Sequence, residues 1–315
     1  MSAESTATTI NDVIYGYNIE PSFLDYAHEF TVATPLFRRY SLVGKPSNVL
    51  QIPRITADMT VNDNGASTDG EFDATEGTAL SNTALDTENV QATCAEYGLQ
   101  RSITDNVFED SIMGADFMSM VIMDAARILT TAVETDAVTL FASLSNGVGT
   151  TNTNITMAVA VSMLDGIRNR GYHAPDGVAF VWDNQTWGDL RDLLIATGTS
   201  WTVYAGAADR FLGAAPEGTN GLASGLVGQF LGMPCWVTGL TPNANGTTDV
   251  VSAAFVPSTP ANDAHATFAY TEKRPFRVEA IRVPGLRADQ VVFTRRCAVS
   301  EIADGSGTKH VGDAD

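Results

Sequence analysis

Between Arg54 and Arg101 the chain carries nine carboxylates and neither a lysine nor an arginine. From Thr56 to Glu88 its only large apolar side chains are Met59, Val61, Phe72, Leu80 and Leu85. So little apolar surface cannot offset the entropy lost when a backbone is ordered. Strand-like runs flank the segment, Asn48–Ile55 before it and Val90–Leu99 after it. These features predict a two-stranded arm that projects from a globular body and is ordered by what it touches. A long arm in need of a partner points to an assembly protein before it points to an enzyme.

The rest of the chain supplies the body. With 315 residues and 44% apolar content it can build one large core or two modest ones. A net charge of −19 argues against a nucleic-acid-binding surface, which needs clustered lysine and arginine, and against docking on anionic lipid. Cys94, Cys235 and Cys297 are odd in number and lack metal-ligand spacing, so reduced thiols are expected rather than a disulfide framework. The Ser/Thr-rich start, Met1 to Asp12, lacks the basic and apolar blocks of a signal peptide. No apolar run reaches the roughly 20 residues that a membrane span requires.

Periodicity orders the elements. Pro53 places the first arm strand at an edge, and Asn62–Asp63–Asn64–Gly65 is a turn signal. From Asp116 to Leu144, apolar residues recur at spacings of three and four, predicting a helix of roughly 42 Å. Met157–Arg168 is a second amphipathic helix, with Thr156 as its cap. Val178–Trp182 is a short strand, and Asp183 caps a helix from Gln185 to about Ile195. Leu226–Leu231 is expected to make a short turn of helix before a strand at Met233–Val237. Phe276–Val283 and Gln290–Ile302 are strands separated by the Pro284–Gly285 turn, and the tail from Gly305 to Asp315 is expected to be mobile.

Catalytic constellations are missing from this order. His28, His173, His265 and His310 are scattered, and Ser224 is misplaced for a nucleophile elbow. Gly147–Val148–Gly149 lacks the third glycine of a dinucleotide loop. Asp69, Glu71 and Asp73 are followed by Ala74 where a calcium loop needs glycine, so a solvated or partner-facing acidic segment is the better reading. Trp182, Trp187, Trp201 and Trp236 fall in the central block, where core or subunit-contact roles are expected. The residues assign no catalytic site, no metal and no cofactor.

The order of parts resembles the major capsid proteins of tailed bacteriophages, which share the Hong Kong 97 fold. Three stretches carry the resemblance. Ile103–Ile112 (ITDNVFEDSI) is similar to the lead-in to the family's spine helix. Leu226–Val237 resembles the helix-then-strand step of its axial domain, and Phe293–Val299 the last strand of its peripheral domain. The resemblance implies an α+β fold divided into an N-terminal arm and lead-in (1–43), an extended E-loop hairpin (44–102) and a spine helix (103–154). An α/β axial domain (155–265), peripheral β-strands (266–302) and a C-terminal tail (303–315) complete it.

The same resemblance implies a structural subunit and no enzyme. Hexamers and pentamers would form an icosahedral shell around double-stranded DNA, assembled in a host's cytoplasm and located in the virion. A portal protein, an optional decoration protein and, because no long charged helical extension precedes the E-loop, a separate scaffolding protein are the implied partners. With Lys45 the only lysine from Gly44 to Gln100, covalent cross-linking through the E-loop is not expected. A shell protein of a cellular nanocompartment and an enzyme with an acidic lid are the competing readings.

One charge anomaly suggests how subunits meet. Lys273 through Arg296 carries seven basic and two acidic residues, a net of +5 against −24 on the remainder. The acidic arm of one subunit is therefore expected to lie on the basic region of another. The expected contacts are Glu71, Asp73 and Glu76 facing some of Arg274, Arg277, Arg282 and Arg287.

Overall fold

A computed structural model describes residues 31–57, 86–110, 114–151, 153–169, 177–196, 226–230, 232–242, 249–260, 262 and 265–313. They build two sheets and a separate two-stranded ribbon. The ribbon pairs β2 (Val49–Ala57) with β3 (Asp86–Thr93), in antiparallel register from Val49 opposite Thr93 to Ala57 opposite Asp86. Both strands are edges, so Pro53 is tolerated. The acidic stretch 58–85, including Glu71, Asp73 and Glu76, lies outside the described residues.

The return strand differs from its expected form. It divides at Cys94 into β3 and β4 (Ala95–Thr104), and β4 joins a different sheet. Cys94 is buried, and its amide donates to the Asn48 carbonyl at 2.9 Å. One run of alternating residues thus serves two sheets, because alternation fixes which face is buried and says nothing about the partner strand.

The four-stranded sheet has the order β1 (Arg38–Ser41), β10 (Phe268–Val283), β11 (Ala288–Glu301), β4. Strands β10 and β11 pair antiparallel, and β11 pairs with β4 from Ala288 opposite Thr104 to Cys297 opposite Ala95. Short helix α1 (Asp105–Asp110) follows β4 and leads into α2 (Gly114–Thr139), 26 residues or about 39 Å long. Ala125 and Leu129 of α2 pack on Val291 and Phe293 of β11. The expected helix ends in a tighter 3-10 turn, Leu140–Ser143.

The six-stranded sheet runs β5 (Gly147–Val148), β12 (Gly307–Asp313), β9 (Asp249–Phe255), β6 (Ala179–Asp183), β8 (Met233–Thr238), β7 (Leu226–Phe230). Helices α3 (Met157–Arg168) and α4 (Asn184–Ala196) contribute Ala160, Met163, Ile167, Trp187 and Leu190 to its core, against Phe180 and Trp182 of β6. Both caps form as expected. Thr156 Oγ1 accepts from Val159 N at 3.3 Å, and Asp183 Oδ2 accepts from Gln185 N at 2.7 Å.

Two expectations fail in this sheet. Leu226–Phe230 is strand β7, not helix, and it pairs antiparallel with β8 across a turn in which Gly232 takes φ +80°. A short apolar run fits either state, and here the glycine permits a tight hairpin. The helix-then-strand likeness at Leu226–Val237 falls with it. The tail is the second correction. Residues 307–313 form β12, paired along its whole length with β9 and in parallel with β5, and Thr308 and His310 are buried.

The two sheets share a core where Phe141, Phe255 and Phe268 converge with Phe37. Ring centroids lie 4.9 Å apart for Phe37–Phe268 and 5.6 Å for Phe141–Phe255. Among the described residues no helix is long and apolar enough to cross a membrane.

Candidate subunit interface

Chemical sites are sparse among the described residues. Cys94, Cys235 and Cys297 are buried free thiols, and burial pushes Cys235 up to about 12 and Cys297 to about 11, far from a reactive thiolate. No group of three or more His, Cys, Asp or Glu side chains among the described residues could hold a metal ion. The feature with consequences at the surface is the arginine set on β10 and β11.

Strand register sorts these arginines. Arg274, Arg296 and Glu96 are neighbours across three strands, so they share one face of the sheet. Arg274 donates to Glu96 Oε1 at 2.6 Å, and Arg296 Nε lies 3.8 Å from the other oxygen. One carboxylate thus serves two guanidinium groups. On the α2 side, Arg295 donates to the Tyr270 hydroxyl at 2.7 Å and to Glu272 at 3.5 Å. Its guanidinium also stands 5.7 Å from the Tyr270 ring centroid.

The hairpin end holds the rest. Arg282 reaches both oxygens of Asp105 at 2.5 and 2.6 Å and Asp289 at 3.2 Å. The bonds from Arg282 hold the Asp105 carboxyl below its ordinary range and raise the guanidinium in turn. Arg277 pairs with Glu279 at 2.5 Å across exposed surface. Arg287 makes no ion pair among the described residues, although its charge also favours ionised Asp105.

Comparison with solved structures gives this arrangement a context. A chain from Mycobacterium phage Che8 superposes with a TM-score of 0.67, at 16% identity, over 94% of this chain and 96% of that one. The capsid structure of cyanophage P-SCSP1u gives 0.64 at 11% identity, over 96% and 94%. The fold is that of a tailed-phage major capsid protein. The holo-SrpI encapsulin complex from Synechococcus elongatus PCC 7942 shares it at a TM-score of 0.59 and 9% identity, over 92% and 91%. No protein-family model matches the sequence, and no curated protein matches it.

Within this capsid fold the expected interface residues divide. Arg274, Arg277 and Arg282 are engaged inside their own subunit, while Glu71, Asp73 and Glu76 lie outside the described residues. Sequence reasoning missed Glu96, Asp105 and Asp289 as their partners. It counted net charge along the chain, whereas pairing depends on strand register, which brings residue 96 beside residue 274.

A second feature escaped it as well. Glu134 of α2 is only 1% exposed. It accepts from Val32 N at 2.6 Å and Thr34 N at 3.1 Å, and also from Ala33 N and Thr34 Oγ1. A single carboxylate fixes the chain to the long helix at the start of the described residues. The only signal in the sequence was an acid one turn before Ala137, Val138 and Phe141 on the same helix face.

Proposed function

We propose that this chain is the repeating subunit of a closed icosahedral shell that encloses double-stranded DNA, with a structural rather than a catalytic role. The observation that carries the reading is near-complete reciprocal overlap with a phage capsid chain, 96% of this chain and 94% of that one. In this reading the chain forms hexamers and pentamers, and segment 44–102 is an E-loop lying over an adjacent subunit. The spine (103–154), the axial block (155–265) and the strands of 266–302 build the wall, and the closing segment 303–315 contributes to the axial sheet. The Hong Kong 97 type is the fold class proposed. A portal protein and a separate scaffolding protein are the assembly partners, with a decoration protein as an optional one.

A nanocompartment shell is the second reading, favoured by the encapsulin match. Electron microscopy of particles purified after expression, followed by nuclease treatment and extraction, separates the two. The DNA-shell reading expects closed particles that protect double-stranded DNA when the packaging partners are present. Closed particles filled with a cargo protein support the alternative. A chain that stays monomeric at high concentration with assembly partners supplied overturns both.

A further inference from the structure

A cleft of about 270 Å³ opens between the start of the described chain, strand β1 and the long helix, and Thr31, Thr34, Arg39, Thr130 and Arg295 are among the residues that line it. Strand order brings its two arginines together. Strands β1 and β11 flank β10, and Arg39 of β1 lies opposite Tyr270 of β10 in the parallel register. The Arg39 guanidinium stands 6.0 Å from the centroid of the Tyr270 ring, and that of Arg295 stands 5.7 Å from the same ring. Two like charges therefore meet at one aromatic side chain and one cleft.

The cleft offers an occupant charge more than hydroxyl protons. Thr34 Oγ1 donates to Glu134, and Thr130 Oγ1 donates to the Ala126 carbonyl at 2.7 Å. Glu134 is taken up in turn by that hydroxyl and three backbone amides. Among the described residues no carboxylate lines the cleft. The guanidinium groups keep donors in reserve. Arg39 is exposed, and its side chain makes no hydrogen bond or ion pair among the described residues. Arg295 donates through Nη2 to the Tyr270 hydroxyl, stands 3.5 Å from Glu272, and buries its Nε without a hydrogen-bond partner among the described residues. Each guanidinium has five N–H donors in a rigid fork, so both arginines have more to give than their own chain accepts.

We propose that this cleft binds a phosphate group, held between Arg39 and Arg295. The site goes beyond the shell reading and stands without it. Charge selects the ligand. Near pH 7 a phosphate carries about −1.5 to −2, a match for two guanidinium groups that a single carboxylate does not provide. The arginine fork also fits phosphate oxygens two at a time. Size selects a small ligand, because the cleft falls below the roughly 300–1,000 Å³ of pockets for larger organic molecules. On a chain of net charge −19, a pair of cations without a lining acid is a local reversal of the field, and such a reversal concentrates anions.

Calorimetric titration of the full-length chain with pyrophosphate tests this. Saturable binding at one site per chain is expected, with none for acetate at equal ionic strength. Arg39→Gln is expected to weaken the affinity about tenfold or more while leaving the thermal midpoint of the ligand-free chain in place. Arg39→Lys, which keeps the charge and loses the fork, should fall between. Thr31→Asp retains both arginines and sets a carboxylate at the cleft, so it should abolish binding and serves equally if Arg39→Gln impairs folding. Short duplex DNA identifies the source of the phosphate. Binding of DNA that Arg39→Gln weakens supports the site with the nucleic-acid backbone as ligand, and binding of pyrophosphate alone supports it with a free phosphate. No binding by the unmodified chain, equal binding of acetate, or unchanged affinity in Arg39→Gln and Thr31→Asp overturns the site. Particle formation is read separately by microscopy, so each of those results leaves the shell reading intact.

Discussion

Glu134 shows how one residue can set the stability of a junction. Its carboxylate lies between the long helix and the segment Val32–Thr34, and three backbone amides depend on it. Truncation would leave those donors buried without acceptors. Glu134→Ala is therefore expected to cost about 2–4 kcal/mol, read by denaturant unfolding, and to open a protease site near Thr34. Glu134→Gln should fall between, since its amide nitrogen cannot accept. His310 sets a second residue-scale dependence. Buried in β12, it has its pKa lowered to about 4 by desolvation. Because the folded pKa lies below the unfolded one, the stabilisation is complete above about pH 6.5 and is lost as pH falls toward 4. From pH 7 to pH 5 this amounts to about 2 kcal/mol. Unfolding of His310→Gln at the two pH values checks it, and the variant should show a correspondingly smaller drop.

At the scale of elements, strand β12 carries the sharpest prediction. Deleting 306–315 removes the strand between β5 and β9 and exposes the edge of a buried sheet. The loss should exceed about 5 kcal/mol, comparable to the whole stability of a domain, and appear as insoluble protein. A truncated chain that unfolds like the intact one would restore the mobile-tail reading. The sequence could not show this strand, because Gly-Thr-Lys-His-Val-Gly-Asp has almost no apolar content and is buried by its smallness and its ladder. A Cβ at Gly307 would lie 2.7 Å from Leu144 Cδ2, so close approach rather than hydrophobicity places it there. Helix α3 was legible for the opposite reason, since its stripe and its Thr156 cap are both local. The long helix and the β10–β11 hairpin were legible on the same grounds. Glu134, Glu96 and the division at Cys94 were not, because each is defined by residues far away in the chain.

Across the whole molecule the question is what an acidic hairpin contributes to assembly when most basic residues of 273–296 already have carboxylates beside them. Arg274, Arg277 and Arg282 can serve a neighbour only by sharing, and exposed pairs of this kind are worth about 0.2–1 kcal/mol each. Arg287 needs no exchange, which makes it the best partner for Glu71 or Asp73 of another copy. Reversing both acids, Glu71→Lys with Asp73→Lys, is expected to lower particle yield, most strongly at low salt, and added salt should narrow the gap to the unmodified chain. Combining Glu71→Lys with Arg287→Glu should recover part of the yield lost by either change alone, since a swapped pair keeps its attraction. Backbone pairing and apolar contact would give no such recovery and no salt dependence beyond that of the unmodified protein. If yields across the salt series coincide for all five chains, the β2–β3 arm is held without its charges, and the nine carboxylates between Arg54 and Arg101 serve solubility rather than register.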